Sequence, residues 1–165
     1  MMKYISKLFL LLLLPSVFIW SCNSDYSCRQ DTEVSLSVNF YQPKRDDAKQ
    51  KLVMQPLNDT IKIYGLGQDS LLYVGKNISS ARLPLKPFDD MTLFVVQKDS
   101  LMADTLRFSH TNEEFFLSVE CGVVYHHTLT SVFTSFNSID SVSIINPKVI
   151  DNQTQGQVKI YFKAE

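Results

Sequence analysis

Val34, Leu36, Val38 and Phe40 alternate with Ser35, Ser37 and Asn39, and the same beat returns near the C-terminus in Val158, Ile160 and Phe162. Successive side chains of an extended strand point to opposite faces, so a period of two describes a strand with one buried face rather than an amphipathic helix. Further short runs rich in Val, Ile, Thr, Phe and Tyr predict strands at 60–64, 71–74, 91–97, 104–109, 115–121, 123–130, 141–146 and 157–163. Gly65-Leu66-Gly67-Gln68-Asp69 and Lys98-Asp99-Ser100 separate them as hairpin or sandwich turns do. Pro84 and Pro87 lack ladder donors, which makes their piece an edge strand or an extended crossing. The charged segment 43–56 reads as a solvated loop or edge hairpin, with a short helical turn as the alternative, and 132–138 carries no assignment. These elements predict an all-β fold, an antiparallel β-sandwich of about eight or nine strands. A small closed β-barrel of lipocalin type is the alternative, which periodicity alone does not separate from a sandwich.

The 165 residues, 45% hydrophobic and 20% charged, suit a single domain and are too apolar to be disordered. A formal net charge of −1 without a Lys/Arg cluster excludes a phosphate-binding footprint, so nucleic acid is not expected as a partner.

Lys3 and Lys7 precede an apolar run from Leu8 to Trp20, broken only by Pro15 and Ser16. Thirteen residues fall short of the roughly 20 a membrane span requires but fit the core of a secretory signal. The run ends Ile19-Trp20-Ser21-Cys22, which resembles the bacterial lipobox, cleaved just before the cysteine whose thiol takes a diacylglycerol. The expected organisation is a lipoprotein signal peptide at 1–21, a lipidated tether at 22–30 with Cys22 as the attachment point, and one β-sandwich domain at 31–165. An ordinary signal peptide with a nearby disulfide cysteine is the alternative. Loss of residues 1–21 removes Lys3 and Lys7, leaving 14 basic and 17 acidic side chains, a net charge of −3, and removes Trp20, the only tryptophan.

With Cys22 acylated, Cys28 and Cys121 remain as a pair in an oxidising compartment, where a disulfide is expected. Two buried reduced thiols are the alternative.

No constellation points to catalysis, a cofactor or a metal. His126 and His127 are adjacent, so on a strand they face opposite ways, and at most one could join His110; surface or half-buried histidines are the expectation. Glu113-Glu114 reads as a solvated turn after Asn112, and nothing places a second carboxylate opposite Glu120 as glycoside hydrolysis requires. Cys121 bound in a disulfide cannot act as a nucleophile, and Gly65-x-Gly67 lacks the rest of a phosphate loop. Tyr41, Tyr64, Tyr73 and Tyr125 could stack on sugar rings, although the mature chain lacks the tryptophan that sugar platforms favour. Phe115, Phe116, Phe133 and Phe136 are expected in the core.

Asp followed by Ser or Thr and an aliphatic residue recurs at Thr60, Ser70, Ser100, Thr105 and Ser141. The pattern resembles the O-glycosylation motif of exported Bacteroidota proteins, so these five are candidate acceptors. Asp-Ser and Asp-Thr also mark turns entering strands.

Cys28, Asn39-Phe40-Tyr41, Gly65 to Ser70, Leu83-Pro84-Leu85, Asp104 to Ser109, Glu120-Cys121-Gly122 and Val158-Lys159-Ile160-Tyr161-Phe162 extend the likeness further. On these residues the chain resembles a family of Bacteroidota outer-membrane lipoproteins known only as a domain of unknown function. The resemblance implies no catalytic residue. It implies an envelope location and a protein neighbour, an outer-membrane β-barrel among the candidates. The expected role is therefore that of a lipid-anchored, non-enzymatic accessory subunit for another envelope protein. A small-ligand or glycan-binding β module is the alternative.

Overall fold

The structure, a computed structural model, describes residues 28, 32–46, 48, 50–68, 71–98, 102–152 and 154–164. Among them the chain is all-β. Eleven strands run β1 (Ser35–Asp46), β2 (Lys51–Pro56), β3 (Ile61–Gly65), β4 (Leu71–Gly75), β5 (Ser80–Pro84), β6 (Met91–Lys98), β7 (Asp104–Ser118), β8 (Gly122–Thr134), β9 (Ile139–Ile144), β10 (Lys148–Val149) and β11 (Val158–Phe162). They form two sheets. One runs β2-β1-β11-β9 with β5 added to β1, and the other runs β10-β8-β7-β6-β3-β4. No strand is shared between them, so the architecture is a sandwich and not a closed barrel.

The period-two pattern places the core. Leu36, Val38 and Phe40 of β1 and Val158, Ile160 and Phe162 of β11 form one inner face. Ile61 and Ile63 of β3, Phe94 and Val96 of β6, and Leu106 and Phe108 of β7 form the other. All are essentially inaccessible to solvent. Each such side chain contributes about 1.5–3 kcal/mol by burial, which is why the alternation dictates the layering.

The structure departs from the expected antiparallel ladder in one pair. β1 and β11 run parallel, Val38 opposite Val158 through Tyr41 opposite Tyr161. The two strands stand at opposite ends of the chain, so a crossover can connect them where a hairpin could not. β5 is an edge strand, paired only with β1, as the prolines suggest. Segment 43–56 is an edge hairpin, in which β2 pairs with the second half of β1 from Tyr41–Pro56 to Asp46–Lys51.

Two expectations are corrected here. Asn112-Glu113-Glu114 is not a turn but the middle of a single 15-residue strand, β7, paired residue by residue with β8. The polar residues stand there because the β7–β8 hairpin runs past the core and overhangs the end of the sandwich. For the same reason Phe115 and Phe116 are exposed and not in the core. Phe133 and Phe136 are exposed as well: Leu106 and Phe108 point inward, so Arg107 and its cross-strand partner Phe133 point outward. There the Arg107 guanidinium lies 5.2 Å from the Phe133 ring centre, and Phe136 meets that ring edge-on.

At the opposite end of β7, Asp104 is fully buried and accepts from the Ser135 hydroxyl, the Asn137 N–H and the Ser138 hydroxyl, and also from the Ser138 and Ile139 N–H groups. One carboxylate thereby fixes the β8–β9 connection. Burial alone raises its pKa, but the bonds from Ser138, Asn137 and Ser135 outweigh that and hold it below the ordinary value.

Candidate functional site

Where the β7–β8 hairpin leaves the core, its inner face turns from apolar to polar. His110 and Asn112 on β7 and His127 on β8 come together because Asn112 pairs directly with His127, and a register shift between Ser109 and His110 brings the second imidazole alongside. The two rings stand edge to face with centres 5.3 Å apart. Both histidines are almost completely buried, against the expectation of surface or half-buried ones. Only one of the adjacent pair joins His110. His126 points the other way and stacks on Phe115.

The hydrogen bonds determine the tautomers. Asn112 Nδ2 donates to the carbonyls of Asp89 (2.6 Å) and Lys86 (3.4 Å), which orients the amide and leaves Oδ1 as acceptor. The Nδ1 atoms of His110 and His127, each 2.7 Å from that oxygen, must therefore both carry protons. On its other side the His110 Nε2 atom is hydrogen-bonded with the Thr92 hydroxyl at 2.9 Å, whose oxygen takes the Lys86 N–H. The network clamps the 85–90 loop onto the hairpin.

Among the described residues no hydrogen bond reaches His127 Nε2. Its ring helps line a cavity of about 440 Å³ shared with Glu33, Val34, Pro84, Pro87 and Tyr125. Burial, with His110 and His126 nearby, depresses the His127 pKa to about 4, so the ring beside the cavity is neutral at neutral pH. Tyr125 donates its hydroxyl to Glu114 (2.7 Å) and meets Phe88 edge-on. A neutral imidazole beside prolines and an aromatic edge can take a small hydroxyl-bearing molecule. Among the described residues there is no group of three metal-ligating side chains.

The remaining candidates scatter. Tyr73 is structural: its hydroxyl donates to the Arg82 carbonyl and accepts the Arg82 N–H, clipping β4 to β5 across the open side of the sandwich. Tyr41 stacks on Tyr161 on the outer face of the β1–β11 pair. Glu120 lies in the turn after β7, where bonds from its own N–H and Ser118 lower its pKa. Cys28 and Cys121 are joined, with Cα atoms 4.9 Å apart, a separation a disulfide spans without distortion. Thr60 precedes β3, Thr105 lies in β7 and Ser141 in β9, all partly exposed. Cys22, Ser70 and Ser100 lie outside the described residues.

Sequence reasoning missed the face of the β1–β2 hairpin. Register puts Arg45 with Leu52, Pro43 with Met54 and Tyr41 with Pro56 on one side, and Lys44 with Val53 and Gln42 with Gln55 on the other. The first side is a largely apolar surface continuous with Tyr161, and Leu52 and Met54 are 59% and 54% exposed on it. Among the described residues β2 pairs with β1 alone. The alternation of Leu52 and Met54 was the available signal, masked by the surrounding charges.

Residues 60–162 match a family of unknown function, DUF6452. The chain belongs to that family. The matched segment spans β3 to β11 and includes Cys121, His110 and His127, while β1, β2 and Cys28 lie before it. No curated protein and no solved structure matches the chain.

Proposed function

We propose that this family member is a lipid-anchored protein of the cell envelope, held at the outer membrane through Cys22, that serves another envelope protein as a non-enzymatic accessory subunit. The observation that carries the reading is the β1–β2 hairpin. A strand at the end of its sheet, beside an exposed apolar face, can add a partner's strand and bury side chains at once. An outer-membrane β-barrel with a periplasmic edge or loop is a fitting partner. O-glycosylation at one or more of Thr60, Ser70, Ser100, Thr105 and Ser141 belongs to the same exported context; a native intact mass equal to lipid plus polypeptide contradicts it.

The test is purification from native membranes after cross-linking in intact cells, with the double variant Leu52→Glu/Met54→Glu beside the wild type. Both side chains are exposed, so the variant should keep its thermal midpoint. One stoichiometric envelope protein should copurify with the wild type and drop about tenfold with the variant. Equal recovery would refute docking through this face. Cys22→Ala should leave the membrane fraction; retention there excludes the lipid anchor.

A second reading, a small-ligand or glycan-binding module, is favoured by the cavity that the neutral imidazole of His127 lines beside Tyr125. His127→Phe should then abolish binding in a glycan screen without unfolding the domain.

A further inference from the structure

The tip of the β7–β8 hairpin is apolar on both faces. Phe116 and its cross-strand partner Val123 share one face, Phe115 stands on the other, and Val119 projects from the turn. Phe116 is 62% and Val119 87% exposed. A strand pair that is apolar on one side awaits a covering layer, whereas a ribbon apolar on both sides and at its end has the form of a wedge.

The disulfide gives this wedge an address. Cys121 belongs to the tip turn and is bonded to Cys28, six residues after Cys22. Six residues span at most about 20 Å even when fully extended. Whatever path the chain takes, an acyl anchor on Cys22 keeps Cys121, whose Cα is 4.9 Å from that of Cys28, within about 25 Å of the bilayer surface, with Val119 two residues further along the same turn. Apolar side chains of an anchored protein gain by entering the headgroup boundary, to a depth of about 5–10 Å.

We propose that the β7–β8 tip docks into the bilayer that holds the lipid anchor, a contact resting on the reading of Cys22 as lipidated. Glu113, Glu114 and Glu120 lie on the same ribbon, so the surface it fits is zwitterionic and not anionic. Glu114 is engaged by Tyr125, and the Glu120 carboxylate folds back toward Ser118, which leaves Val119 at the apex. The docked tip orients the domain. β1 begins beside Tyr125 and His127, and its 12 residues carry the β1–β2 turn about 36 Å further on. The β1–β2 hairpin therefore points away from the membrane, toward a partner's soluble face.

Because the mature chain lacks tryptophan, a single introduced one reports its own depth. Full-length Val119→Trp and Phe116→Trp, expressed in a lipoprotein-processing host and checked for acyl mass, are reconstituted in phosphatidylcholine–phosphatidylethanolamine vesicles with brominated acyl chains. Both should show blue-shifted emission quenched about twofold by the brominated lipid, while Leu52→Trp remains unquenched. If the acyl mass is present and the protein floats with the vesicles, but both tip tryptophans emit as in water and resist quenching, the docking is wrong and the anchor stands. Absence of acyl mass together with failure to float overturns the anchor and the docking with it.

Discussion

Asn112 is the residue on which the overhanging end of the sandwich depends. Its amide accepts from two imidazoles and donates to two loop carbonyls, so removing it leaves the N–H groups of two buried histidines unpaired and unfastens the loop. Asn112→Ala should lower the unfolding free energy in urea by about 2–4 kcal/mol, more than any single hydrogen bond is worth. His127 adds a pH dependence of defined sign. Its pKa falls from 6.5 when unfolded to about 4 when folded, so between those values the unfolded chain binds more protons. Stability should be complete above pH 6.5 and decline as pH falls toward 4, by up to about 3 kcal/mol, and His127→Gln should flatten that slope. Asp104, whose folded pKa is lowered, adds a second loss only below its ordinary value of 3.8. At this scale the sequence was least legible. Strand alternation correctly allowed only one of the adjacent histidines to meet His110, but which one, and the asparagine between them, follow from a hairpin register with an extra residue in it.

Among the elements, strands with one buried face were readable because burial imposes the period of two; β11 follows it residue for residue, and β1 follows it in its apolar residues Leu36, Val38 and Phe40. β7 was not. Its polar middle resembles a turn when only local sequence is considered, and its continuity comes from twelve paired positions with β8. The exposed phenylalanines have the same origin, since composition carries no record of where a hairpin outruns its core. Turns can be tested directly. Gly156 has φ +69°, and a Cβ there would stand 2.9 Å from Asn39 Nδ2. Gly122 has φ +72° with nothing within 4 Å. Gly156→Ala should therefore cost more than Gly122→Ala, roughly 2–3 against 1 kcal/mol, in thermal or urea unfolding.

On the scale of the whole molecule, two hairpins leave the sandwich at opposite ends and one covalent link joins the chain's start to one of them. The Cys28–Cys121 bond closes a separation of 93 residues. In the chain-entropy model its loss should cost about 4–5 kcal/mol, so reduction without denaturant should lower the thermal midpoint well outside error. The pairing was legible from cysteine arithmetic, whereas the fact that it staples the tether to an exposed apolar tip was not. The opposite hairpin, β1–β2, is the surface through which a partner would be bound. A photo-crosslinking amino acid placed at Leu52, and a second at Glu113 as comparison, measures what touches each end in intact native cells. One dominant protein adduct is expected from position 52, mapped to a single envelope partner and lost when that partner is deleted, and no such adduct from position 113. Position 52 giving no discrete adduct, or the same partner captured from both ends, would contradict docking through the β1–β2 hairpin.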